Sequence, residues 1–229
     1  MLSYGYDSEP QTSTATKTDM PNRSKSTLPV KFFERHLDND LTELASFLST
    51  QYEKIQNGDL LKTGKNTVQT AWDNSGSEST VQWNRYNALQ FVTPHMYSLT
   101  AAIKSMTQEA CDYYGIDFNS QQYYVQSWFN INHAKKGKLD WHEHGGKGAP
   151  HFHGFYCVQA EPSITHYKLP NDVYFDNINK NNRAILGETG HPHAMADWSW
   201  DGPRITIAYD VLPRTAVEHK WEQHWVPLV

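Results

Sequence analysis

Cysteine is almost missing from this 229-residue chain: Cys111 and Cys157 are the only two, with no C-x-x-C pair. That excludes a thiolate zinc finger and a disulfide-stapled fold, and it suits a reducing compartment. Positive charge is also short, with 20 Lys and Arg against 25 Asp and Glu and a net charge of −5. The bulk field therefore gives no indication of nucleic-acid binding. No apolar run approaches the roughly 20 residues of a membrane helix, and the first residues lack the apolar core of a signal peptide. The expectation is a protein of the cytoplasm, without a membrane partner. Neither an internal repeat nor a βαβ rhythm is present, which excludes solenoids and parallel α/β folds.

What the chain does have is aromatic bulk. Aromatics make up 13% of it, including eight Trp and thirteen Tyr. Although the mean hydropathy is −0.72, that content argues for a folded body and not for disorder. Residues 1–28, rich in Ser, Thr and Pro, read as a mobile tail. From 29 to 229 one domain is expected. PVKFFERHL suits a short strand; Leu41, Leu44, Phe47 and Leu48 then recur at helical spacing behind the acidic cap Asp38–Asp40. Residues 57–85 read as loop. A second helix is predicted over about 93–114, with Met96, Leu99, Ile103 and Met106 on one stripe.

The period then changes from helical to twofold. In QYYVQSWFNIN, Tyr123, Val125, Ser127, Phe129 and Ile131 oppose Tyr124, Gln126, Trp128, Asn130 and Asn132. In RITIAYDVL, Ile205, Ile207, Tyr209 and Val211 oppose Arg204, Thr206, Ala208 and Asp210. One apolar face and one small or polar face suit a sheet packed on helices, with its other side lining a wet cavity. The class is α+β: 29–120 as helical support, 121–215 as a strand-built core and 216–229 as a C-terminal extension.

Histidine is where chemistry concentrates. Seven of the twelve lie between 142 and 193, four of them within DWHEHGGKGAPHFH. Imidazole is the commonest protein ligand of first-row transition metals. Residues i and i+2 of a strand share a face, so His142 and His144 can grip one ion. GHPHAMAD supplies a distant third ligand, His193, for which His191 competes. The strand HFHGFYCV carries His151 and His153 into the core, where one or both suit hydrogen-bond partners behind the ligands.

The pattern WFNIN…WHEH…HGFYCV…GHPHAMAD…PRITIAYDV resembles the 2-oxoglutarate- and iron(II)-dependent oxygenases, most closely small oxygenases of marine bacteria and cyanophages. The likeness is strong over about 121–212 and weak before it. It implies a double-stranded β-helix (a jelly-roll, cupin-like barrel) and a hydroxylase-type dioxygenase that turns 2-oxoglutarate into succinate while oxidising a second substrate. The host cytoplasm would be its location if the protein is viral. It also implies iron(II) held by His142, His144 and His193. Arg204, eleven residues beyond His193, would pair with the distal carboxylate of 2-oxoglutarate, and Thr206 of the R-x-S/T form would bond the same group. A planar guanidinium fork matches a carboxylate and keeps its charge when buried. Tyr156, Asn132 and Asn130 project from strands beside the metal and are candidates for touching the cosubstrate.

One departure stands out. His144 occupies the position of the usual carboxylate ligand, so either the site is a three-histidine one or Glu143 or Asp140 coordinates instead. A cupin-type metalloenzyme without 2-oxoglutarate is the rival enzyme, sharing the barrel and the H-x-H pair but leaving Arg204 without a purpose. A metal-stabilised binding module is the non-enzymatic rival. The second substrate is open among a protein side chain, a nucleobase and a small metabolite. The basic loop HAKKGK (133–138) and the aromatic WSWDG and WEQHW segments read first as a solvated turn and as packing, and second as substrate contacts.

Overall fold

A computed structural model describes residues 29–57, 77–80, 87–132, 139–144, 151–196, 198, 200–217 and 225–228. The tail expected over 1–28, the basic loop 133–138 and residues 221–224 lie outside these. Strand β1 (Phe33–His36) opens the described fold. Asp40 then caps helix α1 (Leu41–Asn57): its Oδ1 accepts from the amides of Thr42 and Glu43 at 3.0 Å each, two of the donors that a helix start leaves without partners. Leu44, Leu48, Tyr52 and Ile55 form the buried stripe of α1. Helix α2 (Pro94–Tyr113) begins where the sequence predicts. Pro94 fills its first turn and Thr93 Oγ1 accepts from the Met96 amide at 3.2 Å. Gly115, at φ 68, turns the chain back so that the Ile116 amide closes on Cys111 O at 2.8 Å.

Strands dominate the described residues that follow: β3 (Tyr123–Asn132), β4 (Leu139–His142), β5 (Phe152–Gln159), β6 (Ile164–Leu169), β7 (Val173–Ile178), β8 (Arg183–Glu188), β9 (His193–Met195), β10 (Arg204–Pro213) and β11 (Val226–Pro227). The larger sheet runs β1-β8-β5-β10-β3-β11 and the smaller one β4-β9-β6-β7, with every pairing antiparallel. From β3 to β10 the chain changes sheet at nearly every step, remaining in one sheet only between β6 and β7. The expectation of loop over 57–85 is corrected in part. Asn57 ends α1, and Ser77–Ser79 form strand β2 against Asn130–Asn132 of β3. A Ser-rich segment carries little strand signal of its own; the open edge of β3 recruits it.

Both faces of the larger sheet are covered. On one side Val125, Phe129, Tyr156, Leu186, Ile207 and Tyr209 pack with Leu44, Leu48, Met96, Leu99, Ile103 and Met106 of the two helices, each at 1% exposure or less. Burying each such side chain contributes about 1.5–3 kcal/mol, so this is the main core. The Tyr209 ring crosses β5 at Gly154, where a Cβ would collide with it and with the carbonyl of Ile185, which accepts the Tyr209 hydroxyl at 2.8 Å. On the other side Trp128, Phe155, Cys157, Ile185 and Ala208 meet Tyr167 of the smaller sheet. The gap between the sheets holds the polar cavity.

Candidate metal centre

His142 ends β4 and stands directly opposite His193, the first residue of β9. His144 lies two residues on, and the three rings converge with centroid separations of 4.3 to 5.5 Å. One nitrogen from each of His142, His144 and His193 comes within 4.8 Å of the others, a set able to hold one ion. Imidazole nitrogens suit iron(II) as well as zinc, and with three protein donors an ion keeps open positions. The His193 Nδ1 faces the backbone oxygen of His191 at 3.2 Å, which leaves its Nε2 for a metal.

The larger sheet closes the cluster from below. His153 of β5 and Asp210 of β10 are register partners. Asp210 Oδ1 lies 2.8 Å from His153 Nδ1, and its Oδ2 lies 3.2 Å from His144 Nδ1. The His144 and His153 rings stack at 3.8 Å and both lie over Trp128. His144, His153 and Asp210 thus form a second group of ion-holding size that shares His144 with the first. Burial, with His144 beside it, brings the His153 pKa down to about 4. Burial acts against the Asp210 carboxylate, but the neighbouring His144 and His153 outweigh it and hold its pKa below the usual range. Desolvation, followed by the neighbouring imidazoles, depresses His193 as well. At His153 and His193, burial and the neighbouring imidazoles thus favour the neutral ring, the state that ligates metal.

Arg204 enters the same cavity from the start of β10. It is 6% exposed, and its Nε donates to Ser163 Oγ at 2.9 Å while Nη1 reaches Asn132 Oδ1 at 3.3 Å and Thr206 Oγ1 at 3.5 Å. Burial lowers its pKa to about 10, which leaves it charged at neutral pH. Among the described residues no carboxylate lies within ion-pairing distance of it. Its cavity has an empty volume of about 450 Å³, open to solvent, and is lined by Arg204, Thr206, Asn130 and Trp128 together with the histidines. The indole Nε1 of Trp128 is buried there without a hydrogen-bond partner.

Six of the eight residues predicted from sequence as ligands or cosubstrate contacts line one cavity: His142, His144, His193, Arg204, Thr206 and Asn130. Asn132 joins through Arg204. Tyr156 does not, and this is a correction. It sits in the helix-side core, where its hydroxyl donates to Asn182 Oδ1 at 2.5 Å and accepts from Asn39 Nδ2 at 3.0 Å. Tyr156 is three residues from His153, an odd step along a strand, so when His153 faces the cavity Tyr156 must face away. His191 joins neither ion-sized group, although its side chain lies beside the cluster. His151 reaches Tyr123 on the far side of β5, and Glu143 is exposed and in neither group. The side chain of Asp140 lies outside the described residues. Asp210 was missed as a site residue, yet it carried a signal: it lies on the same strand face as Arg204 and Thr206, at even spacing.

No family model and no curated protein matches this chain. Solved structures do. A prolyl hydroxylase from Trichoplax adhaerens, in complex with a peptide fragment of the hypoxia-inducible-factor oxygen degradation domain, has a TM-score of 0.57 at 9% identity, over 82% of this chain and 86% of its own. Prolyl-4-hydroxylase from Pseudomonas putida gives 0.52 at 8% identity, over 80% and 92%. The dioxygenase for auxin oxidation 1 of Arabidopsis thaliana, solved with 2-oxoglutarate, gives 0.52 at 13% identity, over 80% and 83%. These neighbours are two prolyl hydroxylases and a dioxygenase, the last bound to 2-oxoglutarate. The likeness is one of fold, and it does not reach the narrower kinship with marine-bacterial and cyanophage oxygenases that the motifs suggest. Among the described residues no helix is long and apolar enough to cross a membrane.

Proposed function

We propose that this protein is an iron(II)- and 2-oxoglutarate-dependent oxygenase, with its two sheets forming the halves of a double-stranded β-helix. One observation carries the reading: a buried arginine with no acidic partner among the described residues faces the same cavity as three convergent histidines. An isolated buried cation is costly, and the group that relieves it here would be an anion entering the cavity. A dicarboxylate keto acid meets both requirements, with one carboxylate on the guanidinium fork and the keto-acid end toward the metal. His142, His144 and His193 would hold the ion. Ser163 and Asn132 aim Arg204, while Thr206 offers a hydroxyl to the same carboxylate. Iron(II), when bound, supplies the chemistry that couples decarboxylation of 2-oxoglutarate to oxidation of the second substrate. Phe155, Trp128 and Ala208 give the cavity an apolar wall.

The cytoplasmic location belongs to the same reading, since Cys111 and Cys157 are buried and not joined in a disulfide. The second substrate is drawn from protein side chains, nucleobases or small metabolites, and a screen for compounds that raise succinate release selects among them. The core test is a titration of iron-loaded protein with 2-oxoglutarate, followed by its absorption band and by succinate formation. Arg204→Ala should keep the metal and lose about 2–5 kcal/mol of cosubstrate affinity, the usual cost of truncating one partner of a buried charge pair. Unchanged affinity in that variant would overturn the proposal in favour of a cupin-type enzyme that uses the three histidines without the keto acid.

A further inference from the structure

The three histidines lack the carboxylate that a two-histidine, one-carboxylate set would provide, and an ion held by neutral imidazoles alone keeps its full charge. Among the described residues Asp210 is the only acid in either ion-sized group. It is buried, and it is anchored on β10 in register with His153. A carboxylate can only accept hydrogen bonds. Both imidazoles that it meets, His144 at 3.2 Å and His153 at 2.8 Å, do so through Nδ1, and each must therefore carry its proton there. For His144 that fixes the tautomer and leaves Nε2, on the opposite edge of the ring, as the one ligating atom. The ring cannot rotate away, because His153 stacks on it at 3.8 Å and Trp128 lies against both.

We infer that Asp210 is a positioning residue for the metal centre, holding His144 for coordination through Nε2 and supplying the missing negative charge from one imidazole behind the ion. His153, bound to its other oxygen, then acts as a brace and not as a ligand. Second-tier carboxylates of this kind orient a ligating histidine and raise its basicity. The inference rests on the proposed metal site. It is independent of the keto acid, so titration with metal alone separates its failure from failure of the oxygenase reading.

Three variants are compared by Co(II) titration of the full chain: Asp210→Asn, Asp210→Glu and His153→Gln. Asp210→Asn should bind Co(II) about 10–100-fold more weakly. It should also shift the visible Co(II) bands, and raise the Fe(III)/Fe(II) midpoint potential through loss of a negative charge. Asp210→Glu should recover part of each effect, and His153→Gln, which loses the brace but neither a ligand nor the charge, should weaken Co(II) binding less than Asp210→Asn. If Asp210→Asn and His153→Gln both abolish binding while His193→Ala spares it, Asp210 is itself a ligand in the His144–His153–Asp210 group and the inference is wrong. Lower thermal stability in Asp210→Asn, with the Co(II) spectrum and affinity unchanged, also overturns it. Should the Asn variant not fold, nitrogen-15 imidazole spectra of the wild-type Zn(II) protein decide: the inference requires protonated Nδ1 on His144 and His153, and a metal-bound Nδ1 on His144 removes it.

Discussion

The two faces of β10 are buried to nearly the same degree and do opposite work. Ile205, Ile207, Tyr209 and Val211 are at most 1% exposed and pack toward the helices. Arg204, Thr206, Ala208 and Asp210 are 3–9% exposed and border the cavity and the histidine cluster. Burial therefore does not distinguish core from site in this protein. What distinguishes them is the demand for partners: dispersion contacts on the helix side are interchangeable, whereas each polar atom on the cavity side needs a specific neighbour. Among the described residues Arg204 lacks an acid and the Trp128 indole lacks an acceptor, so the cavity face of β10 borders unmet polar demand.

The sharpest way to break this contrast is to remove a proposed ligand. His193→Ala should cost more metal affinity than the roughly hundredfold typical of losing an outer-tier partner, with little loss of stability in the metal-free protein. His166→Ala should leave metal binding untouched, because His166 pairs with Asp176 at 2.6 Å on an exposed face. Calorimetric titration with Co(II) checks both. Full occupancy in His193→Ala would move the ligand to His191. The converse substitution is Ile103→Ala, from the opposite face. It should cost about 2–5 kcal/mol in urea denaturation and leave the Co(II) affinity unchanged, since Ile103 packs only in the helix-side core.

A smaller effect should come from pH in the metal-free protein. His153 is held down to about 4 when folded and returns to its ordinary value near 6.5 when unfolded. The unfolded chain then binds more protons, and stability should fall as pH drops from about 6.5 to 4, by on the order of a few kcal/mol. Asp210 acts in the same direction, at lower pH. Its folded pKa is depressed, so its stabilisation is complete above the ordinary carboxylate range and is lost only at lower pH. Denaturation midpoints at pH 7.5, 6 and 4.5 should decline in the wild type and decline less in His153→Gln. Parallel declines would mean that burial of His153 is not what makes the cavity side acid-sensitive.

Much of this was legible because strands alternate. The pattern in QYYVQSWFNIN and RITIAYDVL places most residues of β3 and β10 on the face that the structure gives them. The spacing of Met96, Leu99, Ile103 and Met106 did the same for α2. Tyr156 was misassigned because its face depends on which way His153 points, and the chain alone leaves that free. Strand β2 escaped notice because pairing with an existing edge, and not local preference, creates it. The ligand trio was visible through i, i+2 spacing and a distant third histidine. Asp210 was visible only as one more polar residue on an even face.

Local sequence, then, determined the elements and their faces, because periodicity and caps are properties of a few consecutive residues. It also determined the chemical vocabulary of clustered imidazoles, a strand-borne arginine at position 204 and few thiols. Only the tertiary structure decided which of the seven clustered histidines meet. His142 is opposite His193 through a pairing between strands some fifty residues apart, and Asp210 comes under His144 through a contact between the two sheets. Those distances follow from strand order and register, which the packing of the whole chain sets and no short segment encodes.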